Sequence, residues 1–166
     1  MGLLSFIVTM TRITALIHAS NDEQRLGRAL DSLRACDEVM VVDHGSTDNT
    51  AKIARQHGAL VKAGVPGVEP GAYIIDARHD WILCLQPNEA LNESLEATLH
   101  DWKDSDPGGG VGFCFEVREE TEEGWRTVPP ELRLVNRKRL NWPGKLPPID
   151  LEMPLLPGEV HRFCKP

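Results

Sequence analysis

The stretch Glu38–Thr50, which reads EVMVVDHGSTDNT, joins a short apolar run directly to a polar turn. Its apolar part, VMVV, predicts a fully buried strand, and the HGS triplet that follows Asp43 predicts a turn. Thr47 or Asp48 can then cap a helix that ends at Gly58. The stretch therefore predicts one strand-helix unit of an α/β sheet.

Strand signals also lie on both sides of this stretch. Ile13–Ser20, ITALIHAS, is a β-rich apolar run, and Asn21 or Asp22 can cap a helix after it. That helix carries apolar residues at helical spacing, namely Leu26, Leu30 and Leu33. Residues 59–63, ALVKA, form a third short strand. Successive strand-helix units predict a parallel sheet with a ligand crevice at the carboxyl ends of its strands.

A fourth strand is predicted at the start of Trp81–Leu91, WILCLQPNEAL, which then breaks into a polar turn. A Gly/Pro-rich loop over residues 64–73 and a short helix through Ile74, Ile75 and Arg78 precede it. Because α/β proteins usually keep their sites where strands end, the turn from Gln86 to Glu89 is a candidate site.

An amphipathic helix follows the fourth strand. Asn92 can cap it, and its apolar face carries Leu95, Leu99 and Trp102. Asp106, Pro107 and the glycines after them are expected to stop it.

The periodicity changes after Pro107. VGFCFEV puts Val111, Phe113, Phe115 and Val117 on one face, and a turn through EETEEG leads to a second strand near Trp125 to Val128. These two strands should be antiparallel, and ELRLVNRKRL could supply one more strand pair. The C-terminal segment predicts an irregular tail of about twenty residues, since it contains Pro147, Pro148, Pro154 and Pro157.

Composition bounds the class of protein. A chain of 166 residues with 41% hydrophobic and 26% charged residues suits one globular domain. The net charge of −7 opposes a nucleic-acid backbone, so no nucleic-acid partner is expected. The four cysteines are scattered without metal-ligand spacing, which predicts reduced, structural thiols. The apolar start MGLLSFIVTM is too short to span a bilayer, so we expect a cytoplasmic protein without a transmembrane segment.

Asp22 and Asp43 follow the first and second predicted strands, and both should therefore reach the same edge of the sheet. Both residues could be simple helix caps or turn formers. Asp43 has a more specific context, because Gly45 permits close backbone approach and Ser46 offers a hydroxyl group.

Three motifs in this chain resemble those of the family 2 glycosyltransferases. Members of that family typically read ISVVI-x-x-x-NE, then DEIIVVD-x-GSTDGT, then WILxLDADE, and this chain has ITALIHASND, DEVMVVDHGSTDNT and WILCLQPNEAL in the same order. The resemblance is close over residues 11–96. It implies a GT-A fold, which is a Rossmann-like three-layer α/β sandwich with a mixed, mainly parallel sheet. It also implies one domain over residues 1–166, with a nucleotide-binding half at 11–105 and a shortened acceptor-side half and tail at 106–166.

The resemblance also implies roles for individual residues toward a nucleoside diphosphate sugar. The backbone from His18 through Ala19 to Ser20 would line the base and ribose, Asp22 would take the family's acidic position after the first strand, and Asp43 would accept a hydrogen bond from the base. Gly45 and Ser46 belong to the same nucleotide-binding loop. Gln86 and Asn88 stand where the family has Asp-x-Asp, and their amides could contact ribose or phosphate.

The family's Asp-x-Asp holds Mn²⁺ or Mg²⁺ on the diphosphate, but Gln86 and Asn88 carry no charge. Glu89 is the acid that remains in this turn, so the sequence predicts no divalent metal cofactor. A group of basic residues could bind phosphate oxygens instead, namely Arg133, Arg137, Lys138, Arg139 and Lys145. The alternation of RLVNRKRL favours a solvated strand face for these charges over that role.

Two further departures from the family concern catalysis. The segment before the fourth strand offers Arg78 and His79 where relatives often have a basic residue and Asn. Gly144 is followed by Lys145 and Leu146 where many relatives have a His-Glu pair, so no catalytic base can be named. Two functions therefore stay open: a glycosyltransferase with weak or lost activity, and a non-catalytic binding or scaffold protein that partners another transferase or forms a homo-oligomer.

Overall fold

A computed structural model describes residues 10–105, 110–149 and 151–166. Within these residues, an eight-stranded mixed sheet has the strand order β3-β2-β1-β4-β7-β6-β8-β5. The strands are β1 Ile13–Ala19, β2 Glu38–Asp43, β3 Leu60–Ala63, β4 Trp81–Leu85, β5 Glu89–Leu91, β6 Gly112–Thr121, β7 Gly124–Asn136 and β8 Leu155–Arg162. The helices are α1 Leu26–Asp31, α2 Thr50–Gln56 and α3 Glu93–Asp104, with a 3₁₀ helix at Pro70–Asp76. Among the described residues, none of the helices has the length and apolar composition that a membrane span requires.

The first four strands are parallel, as the sequence predicts. β1 lies between β2 and β4, with Ala19 opposite Asp43 and Ile17 opposite Leu85 in register. β3 extends the sheet beside β2. Asp22 and Asp43 therefore follow neighbouring strands at the same edge, because parallel strands bring their carboxyl ends together.

Two apolar layers cover the two faces of the sheet. Every second residue of β1, such as Ile13 and Ile17, packs with α1, α2 and α3 in one buried cluster. Leu16 packs on the opposite face with the 3₁₀ helix and with Trp142. The alternation explains the three-layer arrangement, since successive side chains of a strand point to opposite faces.

The antiparallel pairing predicted after Pro107 is confirmed. Phe113, Phe115 and Val117 lie on the helix-covered face of β6, which pairs antiparallel with β7. The predicted extra strand pair in ELRLVNRKRL is wrong, because ELRLVN is the second half of the single long strand β7. This half pairs with both β4 and β6, so its backbone hydrogen bonds are used inside the sheet.

The predicted irregular tail is also wrong in part. β8 lies between β6 and β5, parallel to β6 and antiparallel to β5. A register shift opposite Cys114 to Glu116 takes up the extra residues around Pro157, so that the strand continues past a proline. A pattern based on proline content misses this strand because a bulge removes the need for a ladder hydrogen bond at Pro157.

The helix caps are only partly as predicted. The Asn92 side chain accepts a hydrogen bond from the Leu95 backbone N–H at 2.9 Å, which confirms the cap of α3. The expected stop at Asp106 and Pro107 lies outside the described residues. Neither Asn21 nor Asp22 caps α1, because α1 begins at Leu26 and their side chains bond within and between loops.

All four cysteines are free thiols, which agrees with the expectation of reduced residues. Burial raises the pKa of the Cys84 thiol to about 12, and the same cause raises that of Cys36 to about 12. These two thiols are therefore protonated and unreactive at neutral pH.

Gly158 generates a prediction about β8. It has a φ of +110°, and a Cβ atom there would lie 2.5 Å from the Cα atom of Leu95 in α3. We expect Gly158→Ala to lower the free energy of unfolding by about 3 kcal/mol, through backbone strain and the clash together. Urea unfolding monitored by circular dichroism measures this change.

Gly124→Ala is the matched control. Gly124 has a φ of +124°, but a Cβ atom added there would have no other atom within 4 Å, so this variant carries the strain without the clash. Equal losses for the two variants would contradict the close packing of β8 on α3.

Candidate functional site

A cleft of about 330 Å³ lies at the carboxyl ends of β1 and β4. It is lined by His18, Ser20, Asp22, Arg25, Leu85, Gln86, Pro87, Asn88, Lys145 and Leu146. A larger cavity of about 630 Å³ lies between the 3₁₀ helix and residues 137–143, away from the predicted nucleotide-binding residues. We take the smaller cleft as the candidate site because it gathers polar groups from separate strand ends.

The structure brings together part of the predicted set. His18, Ser20, Asp22, Gln86 and Asn88 all line the cleft. The other predicted residues do not line the cleft. Ala19 packs in the helix-side core, and Asp43, Gly45 and Ser46 lie at the end of the neighbouring strand β2. The Ala19 carbonyl accepts a hydrogen bond from the His44 N–H at 2.9 Å. The roles of these residues toward a ligand stay predictions.

Side chains tie the loop after β1 to the loop after β2. The Asn21 N–H donates to the Ser46 hydroxyl at 2.9 Å, and the Thr47 N–H donates to the Asn21 side-chain oxygen at 2.8 Å. The Asp22 N–H donates to the Thr50 hydroxyl at 2.8 Å. Asn21 has a φ of 53°, a left-handed conformation that asparagine tolerates better than most residues. The two loops therefore form one polar frame beside the cleft.

The two candidate acids are held within this frame. Asp22 is 6% exposed, accepts a hydrogen bond from the Ser20 N–H at 2.8 Å, and pairs with Arg25. Asp43 accepts hydrogen bonds from the N–H of Ser46, at 3.2 Å, and from its hydroxyl group. Both carboxylates thus stabilise turns. Their remaining lone pairs could accept hydrogen bonds from a ligand, and that role stays a prediction.

Three aromatic rings form a cluster beside the cleft. His18 Nδ1 lies 2.8 Å from His44 Nε2, and the two rings stack with their centroids 5.1 Å apart. The Tyr73 ring meets both histidines edge-on. Burial, then His44 and the charge of Lys145, lower the pKa of His18 to about 4. Burial and Lys145 also lower the pKa of His44. Both imidazoles are therefore neutral at pH 7.

Glu89 determines the shape of the turn after β4. Its carboxylate is fully buried, accepts hydrogen bonds from Arg133 at 2.7 and 2.8 Å, and accepts another from Arg162 at 2.8 Å. The same carboxylate accepts a hydrogen bond from the Gln86 N–H at 2.9 Å. Burial favours a raised pKa for Glu89, but Arg133 and these hydrogen bonds outweigh it and lower the pKa. Glu89 is thus ionised, and both of its carboxylate oxygens accept hydrogen bonds from within the protein.

Asn88 is anchored on the C-terminal segment. Its side-chain amide donates to the Phe163 backbone carbonyl at 3.2 Å, and the Asn88 backbone carbonyl accepts from the Phe163 N–H at 2.8 Å. The Gln86 side chain makes no hydrogen bond within the part of the chain that the structure describes, and it borders the cleft. Gln86 is therefore the amide of this turn that is available to a ligand.

Parts of this chain are similar to known proteins. Residues 14–66 match the model of glycosyl transferase family 2, over about a third of the chain. An uncharacterized glycosyltransferase of Rickettsia felis is 39% identical over 92 residues, which cover 52% of this chain and 32% of the relative. A lipopolysaccharide core biosynthesis glycosyltransferase, LpsC of Rhizobium meliloti, is 39% identical over 54 residues, covering 32% of this chain and 19% of the relative. Over these residues, the chain is similar to the family 2 glycosyltransferases.

The solved structures support the fold. The crystal structure of Staphylococcus aureus TarS 1–349 matches with a TM-score of 0.56 and 22% identity, covering 72% of this chain and 38% of that one. The same protein in complex with UDP matches with a TM-score of 0.55. The chain has the GT-A fold, as the motifs imply. It spans only about a third of the length of the Rickettsia relative.

The five basic residues of the family's acceptor side lie in different environments, and Lys138 and Arg139 are exposed as a solvated face predicts. Arg133 is buried and paired with Glu89 and Glu131, so it belongs neither to a solvated strand face nor to a phosphate site. Arg137 donates to the carbonyls of Ile74 and Ala77 at 2.8 and 2.7 Å, and Lys138 pairs with Asp80. Lys145 is the one of this group that lines the cleft.

Arg78 and His79 lie just before β4, at the amino-terminal edge of the parallel strands. The cleft lies at the opposite, carboxyl edge. A strand of five residues separates Arg78 and His79 from the cleft, and their correspondence to the family's basic residue and Asn stays a prediction.

Sequence reasoning missed the partners of Glu89 and the Tyr73 contact with the histidines. One signal was available for Arg133, which lies between Leu132 and Leu134 in a strand whose residues are buried on both faces. A charged residue in such a run needs a buried partner of opposite charge. Arg162 gives no comparable signal, because the prolines of its segment predict an irregular tail.

The buried pair generates a prediction about stability. We expect Arg133→Met to lower the free energy of unfolding by about 3 to 5 kcal/mol, because it removes two hydrogen bonds from a buried carboxylate. Arg126→Met is the control, since Arg126 forms an exposed pair with Glu119 on the same hairpin and should cost less than about 1 kcal/mol. Urea unfolding measures both, and similar losses would contradict the burial of Glu89.

The histidine cluster generates a prediction about pH. The folded pKa of His18, about 4, lies below its ordinary value of 6.5, so the unfolded chain takes up the proton first as the pH falls. The stability that His18 contributes is complete above about pH 6.5 and is lost as the pH falls toward about 4, by on the order of 3 kcal/mol. Chemical unfolding at a series of pH values measures this slope.

His18→Gln should flatten the slope between pH 6.5 and 5, above the range in which most carboxylates titrate. His100→Gln, on the exposed face of α3, is the control and should leave it unchanged. An unchanged slope in His18→Gln would show that His18 is not responsible.

Proposed function

We propose that this chain binds a nucleoside diphosphate sugar at the carboxyl ends of β1, β2 and β4. The observation that carries the proposal is the joining of the loops after β1 and β2, both within the family match, into one polar frame beside the cleft. Helix and loop segments at this edge are where α/β sheets bind nucleotides.

The nucleoside end of the ligand would lie against β1 and β2. His18, Ala19 and Ser20 would line it, and Asp43, with Gly45 and Ser46, would supply the acceptor for the base. Asp43 is suited to this because Ser46 orients one of its oxygens, which leaves the other available. The Gln86–Asn88 turn would then face the ribose or the diphosphate from the end of β4.

Glycosyl transfer is the reaction that the relationship favours. The relatives are named as glycosyltransferases, and TarS has been solved with UDP, so a nucleotide sugar is the donor class to test first. We also propose the division into a nucleotide-binding half, residues 11–105, and an acceptor-side half, residues 106–166. Binding experiments with defined nucleotides and sugars identify the donor.

A second candidate function is a non-catalytic binding or scaffold protein that partners a transferase. The amides at Gln86 and Asn88 favour it, together with the commitment of Glu89 to Arg133 and Arg162. Release of UDP from UDP-glucose, followed in a coupled assay with and without chelator, separates the candidates. Turnover above the rate of the Asp43→Asn variant supports the enzyme.

We expect at least one of UDP, GDP, CDP and ADP to stabilise the folded chain. A ligand that binds only the folded state adds about 2.7 kcal/mol when its concentration is one hundred times its Kd. Asp43→Asn should weaken that binding roughly tenfold, because an amide is a poorer acceptor than a carboxylate and loses a charge-assisted hydrogen bond. Thermal unfolding and titration calorimetry measure the two effects.

Asp101→Asn, on the exposed face of α3, is the control for charge and should bind like the wild type. Failure of all four diphosphates and their nucleosides to bind would contradict the proposed function. Equal affinities of the Asp43→Asn and wild-type chains would contradict the role given to Asp43.

A further inference from the structure

The turn after β4 does not fit a divalent cation. Gln86 and Asn88 are neutral, and the Glu89 carboxylate is fully buried between Arg133 and Arg162. Mg²⁺ and Mn²⁺ require anionic oxygen ligands that offset the loss of their water. An ion at this turn would have to displace two guanidinium groups from Glu89.

The rest of the cleft does not supply the missing ligands. Asp22 is the acid that lines it among the described residues, and its carboxylate is held by the Ser20 N–H and by Arg25. Within residues 10–105, 110–149 and 151–166, no group of three or more His, Cys, Asp or Glu side chains could hold a metal ion. The side chains available as metal ligands at this site therefore differ from those of the family's Asp-x-Asp.

A diphosphate bound in the cleft would still need a positive partner, because phosphate oxygens lose water on binding and the charge must be offset. Two basic residues line the cleft, Arg25 and Lys145. Arg25 pairs with Asp22, so these two charges cancel locally. Lys145 forms no salt bridge with any residue that the structure describes, so its positive charge is uncompensated among these residues.

Other features of Lys145 suit a ligand contact. It follows Trp142, which anchors this segment in the core under the sheet, and its own side chain is exposed. Its charge lowers the pKa values of His18 and His44, which is the effect of a cation close to both rings. An exposed ammonium group on a flexible stem, held near the cleft by a buried anchor, can reach phosphate oxygens without prior desolvation.

We propose that Lys145, with the side-chain amide of Gln86, binds the diphosphate of the donor and makes a divalent cation unnecessary for binding. This inference rests on the proposed function and assigns the charge within the same cleft. Lys145 acts as a point charge on the phosphate oxygens, and the Gln86 amide N–H₂ donates a hydrogen bond to them from the end of β4. The nucleoside end of the ligand depends on neither residue.

The test compares four diphosphates, UDP, GDP, CDP and ADP, with their nucleosides by titration calorimetry in EDTA. We expect the wild-type chain to bind the preferred diphosphate more tightly than its nucleoside, with an affinity that EDTA does not change and added salt weakens. Lys145→Met should weaken diphosphate binding at least tenfold and leave nucleoside binding within about twofold. Lys138→Met is the control, since Lys138 is also exposed but pairs with Asp80 away from the cleft.

The outcomes separate this inference from the proposed function. If the nucleoside binds but Lys145→Met retains wild-type diphosphate affinity, or if EDTA abolishes diphosphate binding, the role of Lys145 is overturned and the proposed function stands. If neither nucleosides nor diphosphates bind, the proposed function fails and this inference fails with it.

A measurement without ligand checks the position of Lys145. Removing a nearby cation raises the pKa of a histidine, so Lys145→Met should raise the pKa values of His18 and His44 in an NMR titration of their ring protons. Lys138→Met should leave both values unchanged. Unmoved values in Lys145→Met would place the ammonium group away from the cleft and overturn the proposal.

An exchange of charges completes the test. Gln86→Asp and Asn88→Asp add two carboxylates at the turn, and combined with Lys145→Met they should give diphosphate binding that requires Mn²⁺. Recovery of the lost affinity by Mn²⁺ in this triple variant supports the replacement of an ion by Lys145. A triple variant that stays weak with Mn²⁺ while Lys145→Met alone regains affinity with Mn²⁺ would contradict it.

Discussion

The buried carboxylate of Glu89 is the constraint on which the second half of the sheet depends. Arg133 comes from β7 and Arg162 from β8, so a single fully buried acid joins the β4–β5 turn to two strands distant in sequence. Glu131 and Glu119 complete the neutralisation of the two arginines. Desolvating such charges is costly unless every partner is present, which ties the placement of β8 to that of the turn.

This arrangement has a direct consequence for the cleft. The Glu89 side chain accepts a hydrogen bond from the Gln86 N–H, so the turn is held from inside and its outer surface carries amides. A turn that used its acids for a metal would have to present them outward. The charge available to a ligand therefore comes from another segment, where Lys145 stands exposed beside the neutral histidine pair.

The loops after β1 and β2 are organised by a different kind of interaction. Short hydrogen bonds between small polar side chains and backbone N–H groups join these loops, at distances such as 2.8 Å between the Asp22 N–H and the Thr50 hydroxyl. Such contacts are local to adjacent parallel strands, and they orient each loop relative to the next. The family match covers both loops, and two of the residues that shape them, Ser20 and Asp22, line the cleft.

The sequence by itself determined the four parallel strands, the face of α3 and the common edge of Asp22 and Asp43, because periodicity and strand order follow from local patterns. It also showed that amides replace acids at Gln86 and Asn88. Only the tertiary structure decided that Glu89 and Arg133 pair in the interior, that a proline-containing segment forms β8, and that Lys145 borders the cleft. These features depend on contacts between residues more than forty positions apart, such as Arg133 with Glu89 and Arg162 with Glu89, and no local pattern specifies which distant charge will meet a buried one.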